Sequence, residues 1–146
     1  MKKIILEILL GLTLPAAIFH TQVANVFSTE KAVNKEVSFS ITRDTNYNEK
    51  AYDMASATVR VVIFKVRDNK QTILWNKVYG SMLLKDFPVN GKQMAETVIV
   101  RNISDRKEKL FVTYIVTYNT KGSVVELQNG TTLAKGAKQD KLEISL

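Results

Sequence analysis

The stretch Glu36-Val37-Ser38-Phe39-Ser40-Ile41-Thr42 alternates apolar and polar residues without a break. A period of two puts Val37, Phe39 and Ile41 on one face of an extended chain and the three hydroxyl residues on the other, which predicts a strand with one dry and one wet side. The pattern recurs downstream. Ser56 to Val66 carries Val59, Val61 and Ile63 on one face and Val62, Phe64 and Val66 on the other. Apolar residues on both faces suit a central strand whose Arg60 and Lys65 reach out to water. Asp68-Asn69 marks a turn, and Thr72 to Tyr79 returns with Ile73, Trp75 and Tyr79 on one side and Leu74 and Val78 on the other. Whether these two strands form a hairpin or cross between sheets stays open at this point.

Further along, Gln93 to Ile103 sets Val98 and Val100 against Ile99. Lys109 to Asn119 lines up Leu110, Val112, Tyr114, Val116 and Tyr118, and Thr120-Lys121-Gly122 turns the chain into Ser123 to Gln128. Asn129 to Gln139 reads as a polar loop, and Leu142, Ile144 and Leu146 then share one face of a last strand. Thr45 to Asp53 reads as a polar loop, while Gly80 to Gly91 reads as a short edge strand and crossover because Pro88 suits no central ladder. No ten-residue window after Ala24 follows a helical period. The expectation is an all-β domain of seven or eight mainly antiparallel strands, a two-sheet sandwich resembling immunoglobulin or fibronectin-type modules, with a closed barrel as the alternative.

The first 24 residues differ in kind. Met1-Lys2-Lys3 is followed by an apolar run from Ile4 to Phe19 and by His20-Thr21-Gln22-Val23-Ala24. Positive charge, an apolar core and a small-residue exit form the pattern of a secretory signal peptide, since lysines stay with anionic headgroups while the apolar run inserts. Glu7 lies inside the run, and Ser28 competes with Ala24 as the exit. The expected organisation is a leader over 1–24, a flexible lead-in over 25–35 and a single domain over 36–146, exported to a periplasmic, cell-surface or secreted location.

The chain has 146 residues and no cysteine, so disulfides, thiolate catalysis and cysteine metal sites are excluded. Its one histidine is His20, inside the leader. Histidine-based triads are thereby lost to the exported part, leaving only serine–lysine or paired-carboxylate mechanisms. Asp44, Glu49, Asp53, Asp68, Asp86, Asp105, Glu108 and Asp140 all fall at turns or loop edges and read as solvated turn formers. Asn46, Asn48, Glu49 and Asp53 make the densest oxygen-bearing loop, but Lys50 interrupts it and no calcium-loop signature is present. No catalytic residue, metal ligand or cofactor is assigned.

Beyond Ala24 the chain carries 19 Lys and Arg against 13 Asp and Glu. Between Met54 and Gly80 the basic residues Arg60, Lys65, Arg67, Lys70 and Lys77 face Asp68 alone. Lys65, Arg67, Lys70 and Lys77 are the candidate ligand-binding patch, able to attract an anionic glycan, a phospholipid headgroup or an acidic protein surface if they project together near the turn. Solubility is the competing explanation, because lysine and arginine on β-rich segments discourage edge pairing. Nucleic acid is disfavoured for an exported module without aromatic-basic binding signatures. Asn102-Ile103-Ser104 and Asn129-Gly130-Thr131 match the glycosylation acceptor pattern, the second falling in the predicted loop. The functional expectation is a non-catalytic binding or accessory module. The alternative is a subunit of a surface assembly that self-associates by strand edges, through Val37–Ile41 or Leu142–Leu146.

Overall fold

The computed structural model describes residues 31–146 apart from Glu49. The leader and the segment 25–30 lie outside the described residues. Seven strands are present among the described residues: β1 (Val33–Thr42), β2 (Ser56–Arg67), β3 (Lys70–Leu83), β4 (Ala95–Ile103), β5 (Lys109–Thr120), β6 (Ser123–Thr132) and β7 (Gln139–Ser145). Three single 3-10 turns interrupt the connections before β2 and after β3.

The strands form two sheets, β4-β1-β7 and β3-β2-β5-β6. Every pairing is antiparallel except that of β1 with β7, which run parallel. The expected two-sheet sandwich is therefore the architecture of the molecule. Asp68 and Asn69 both adopt positive φ (50° and 61°), which is the two-residue turn whose twist matches its flanking strands. β2 and β3 are consequently a hairpin in one sheet and do not cross between sheets.

The alternation at Val37, Phe39 and Ile41 does what it predicts, with each side chain 2% exposed or less. These residues meet Val59, Val61 and Ile63 of β2, Val112 and Val116 of β5, and Ile144 of β7 in one core. Phe39 also reaches β3, its ring 5.5 Å from that of Trp75 and 6.2 Å from that of Tyr79. On the outer face Phe64 and Phe111 stack at 5.1 Å, so the apolar second face of β2 is covered by its own sheet neighbour.

Four local expectations change. β1 starts at Val33, inside the predicted lead-in, because the buried Lys35 continues the inward parity of Val37. β3 runs through Gly80 to Leu83, and its pairing with β2 slips between Ile63 and Phe64. That irregularity puts Ile73 opposite Phe64 and leaves it 57% exposed, whereas Trp75 turns inward opposite Ile63, so the two do not share a face. β6 extends to Thr132, which makes Asn129 a strand residue opposite Tyr114 and shortens the loop to 133–138. The polar composition of Gln128 to Thr132 reflects an edge strand exposed along nearly its whole length, where no burial demands apolar residues.

Gly130 explains part of that register. A Cβ at this position would stand 2.6 Å from the Val112 carbonyl oxygen and 2.8 Å from Thr113 Cγ2, closer than β5 can tolerate without moving. Gly130→Ala is expected to cost about 1–3 kcal/mol as β6 is pushed off its neighbour. Gly80→Ala, with nothing within 4 Å of the added carbon, is expected to stay within about 0.5 kcal/mol. Denaturant unfolding of the two variants checks both.

Candidate functional site: a basic pole

Successive strands of the sandwich bring the β2–β3 turn, the β4–β5 turn and the β6–β7 loop to one end, where the Lys35 side chain reaches in from the start of β1. This pole holds Lys35, Lys65, Arg67, Lys70, Arg106, Lys107, Lys109, Lys135 and Lys138 against Glu36, Asp68, Asp105 and Glu108. Residues 31–146 carry 19 Lys and Arg and 12 Asp and Glu, so the pole accounts for five of their seven net positive charges. Charge concentrated this way raises the local potential well above that of a surface where both signs alternate.

Two interior ion pairs set the geometry. The Lys35 side chain is 2% exposed, and its Nζ lies 2.7 Å from Asp105 Oδ1 and donates to the Ala137 carbonyl at 2.8 Å. Asp105 also accepts from the Gly136 N–H at 3.0 Å, and Gly136 takes a φ of +79° that suits glycine. One pair thus ties the first strand, the β4–β5 turn and the β6–β7 loop together. Lys65 Nζ lies 2.7 Å from Glu108 Oε1, while the Ser104 N–H donates to Glu108 Oε2 at 2.9 Å. Glu108 is only 6% exposed, so it is a buried clasp for its turn and not a solvated turn former.

With Lys65 engaged inside, the candidate patch separates. Arg67 and Lys70 face each other across the hairpin end, and Arg67 Nε stays 3.6 Å from the exposed Asp68. Lys77 is seven residues further along an extended strand, roughly 23 Å at the usual rise, where it pairs with Glu96 at 2.6 Å. The four residues therefore do not project together. Arg67 and Lys70 are joined at the pole by Lys107, Lys109, Lys135 and Lys138, which make no ion pair among the described residues. A depression of about 200 Å³ between the turns is lined by Asn69, Arg106, Lys107, Lys109 and Lys135, with Asp68 and Glu108.

Electrostatics follow from these contacts. Hydrogen bonding from Lys35 holds the Asp105 carboxyl below its ordinary range. For Glu108 burial opposes the charge, but donation from Lys65 and the Ser104 N–H outweighs it and the net direction is downward. On the other side of the molecule, Lys77 and then Tyr79 donate to Glu96 and lower it, while burial and Glu96 push the Tyr79 hydroxyl up. At the far pole burial, reinforced by Tyr47, pushes the Tyr118 hydroxyl up to about 12.

Carboxylates depressed in the folded state contribute stability that is present above their unfolded values and is lost as pH falls through the folded ones. Unfolding free energy is accordingly expected to be level above the ordinary range of 3.8 to 4.5 and to decline below it. Glu108→Gln should flatten that decline, which urea titrations between pH 7 and 3 would register.

The loop proposed for a hard cation is described only in part, since Glu49 and the side chains of Asn46 and Asn48 lie outside the described residues. Among the described residues no three His, Asp or Glu side chains gather as a metal set, and no helix is long and apolar enough to cross a membrane. The chain matches no family model, no curated protein and no solved structure.

Proposed function

We propose that the chain is an exported, non-catalytic binding module whose basic pole captures a soluble polyanion, with anionic glycans as the ligand class. The observation that carries this reading is the gathering of five net positive charges over three neighbouring connections, where Asp105 and Glu108 are already paired with Lys35 and Lys65. Specificity placed on loops at the end of a rigid sandwich is the usual use of such a scaffold. A glycan is favoured over a membrane because the tips of the pole, Asp68-Asn69, Arg106-Lys107 and Ala134 to Ala137, offer no large apolar side chain to insert. The order of the larger sheet, β3-β2-β5-β6, supports an immunoglobulin or fibronectin-like type, from which the parallel β7 departs. The charged and then apolar segment 1–24 supports export.

The test compares two variants of equal charge change. One neutralises Arg67, Lys70, Lys107 and Lys135 at the basic pole; the other neutralises Arg43, Lys85, Lys92 and Lys121 at the opposite end. Binding to immobilised sulfated polysaccharide that weakens equally in both would remove the pole from the ligand site.

A further inference from the structure

The edges of the two sheets are not equally protected. β3 carries Lys70 and Lys77 and two irregularities in its pairing with β2. β4 carries Arg101, a positive φ at Asn102 and an irregularity in its pairing with β1. β7 is seven residues long and includes Asp140, Lys141 and Glu143. Charge, bulges and brevity are the ordinary means of keeping an edge from pairing. β6 has neither a bulge nor brevity, and little charge. It is ten residues, SVVELQNGTT, with Glu126 as its one charge, no proline and an unbroken register against β5.

β6 also presents apolar surface that its own domain does not cover. Val125 and Leu127 lie opposite Tyr118 and Val116 and so face the core side of the sheet, yet they are 52% and 54% exposed. The cause is the unequal width of the sheets. β4 meets β3 through Glu96, Lys77 and Tyr79, which leaves the three-stranded sheet too narrow to reach β6 on the far side. On the outer face Val124 is 66% exposed.

We infer that β6 is a self-association edge, through which a second copy of this chain adds to the larger sheet in antiparallel register about Leu127. Central placement of Leu127 puts it opposite Leu127 of the second copy and brings Val125 diagonally beside that residue, so the uncovered apolar side chains of both copies form one cluster. The same register sets Glu126 opposite Gln128, and no like charges meet. Centring on Glu126 instead would oppose two carboxylates, which is unfavourable. The strand is thus self-complementary in one alignment. The β7 edge is the poorer candidate, because its seven residues include Asp140, Lys141 and Glu143. Val37–Ile41 is bonded on both sides within β1 and offers no edge at all.

A single strand edge is small for a protein interface, so a dissociation constant on the order of 10 μM is expected. Sedimentation of the purified chain should show mass rising from one to two copies as concentration passes through that range. Val125→Lys with Leu127→Lys, both at exposed positions, should weaken the dimer tenfold or more. The absence of native cysteine gives a register test. Leu127→Cys should form an intermolecular disulfide under mild oxidation, whereas Val124→Cys, facing Gly130 of the second copy, should not. A chain that stays monomeric, a dimer untouched by the lysines, open-ended oligomers, or equal cross-linking at 124 and 127 would each overturn the inference.

Discussion

Replacing Asp105 with alanine is expected to lower the free energy of unfolding by about 3–5 kcal/mol. The loss is large because of what remains. Lys35 is 2% exposed and would keep only the Ala137 and more distant Ala134 carbonyls as partners for a full positive charge. The converse replacement, Lys35→Met, should be far milder, within about 1 kcal/mol. It fills the same space with an apolar chain and leaves behind a carboxylate that is 28% exposed and still bonded to the Gly136 N–H. Thermal and urea unfolding of the pair would decide the matter. Equal losses in the two variants would mean that burial of the ammonium is not what makes the contact matter.

The second large effect concerns binding. Neutralising Arg67, Lys70, Lys107 and Lys135 together should weaken capture of a sulfated polysaccharide about 10²-fold at low salt, since each exposed charge contact contributes up to about 1 kcal/mol. The variant of Arg43, Lys85, Lys92 and Lys121 should change it by less than about threefold, because those residues share their end with Asp44, Asp53 and Asp86. At 0.15 M salt the screening length is about 8 Å, and exposed charges beyond it are largely screened, so the difference should shrink as salt rises. Binding measured at 50 and 300 mM salt would show this. A difference that grew with salt would point to apolar contacts elsewhere.

Strand parity is the legible part of the fold. Val37, Phe39, Ile41, Val98, Val100, Leu110, Val112, Val116, Leu142 and Ile144 can be read because one buried face forces a period of two. The illegible positions are those where burial does not choose the residue. β6 beyond Gln128 lies in water on both sides, so Asn129 and Gly130 carry no strand signal. Ile73 reads as sharing the face of Trp75 because an irregularity in pairing leaves no trace in a succession of apolar residues. Lys35 reads as lead-in because a lysine is rarely buried, and only its distant partner Asp105 explains it.

The candidate site is half legible for a similar reason. Local counting finds Arg67 and Lys70 at one hairpin, but it sweeps in Lys65, which turns inward to Glu108, and Lys77, which pairs with Glu96. Lys107, Lys109, Lys135 and Lys138 join the pole from two other connections. One signal in the sequence could find them: in an up-and-down succession of strands every second connection returns to the same end, so the charges of the β2–β3, β4–β5 and β6–β7 segments can be added together from strand order alone.

The parallel seam between β1 and β7 has a temporal meaning. Glu36 to Thr42 bond to Gln139 to Ser145, partners about a hundred residues apart, so the smaller sheet cannot close before residues 139–145 have been added to the growing polypeptide. Until β7 emerges, Phe39 and Ile41 lack Leu142 and Ile144 beside them, and contacts of this separation form slowly. The smaller sheet is therefore the last part of the described fold able to lock, because its centre waits on residues 139–145. A variant without residues 139–145 would leave β1 with an open edge and the smaller sheet unfastened, rather than a slightly smaller domain.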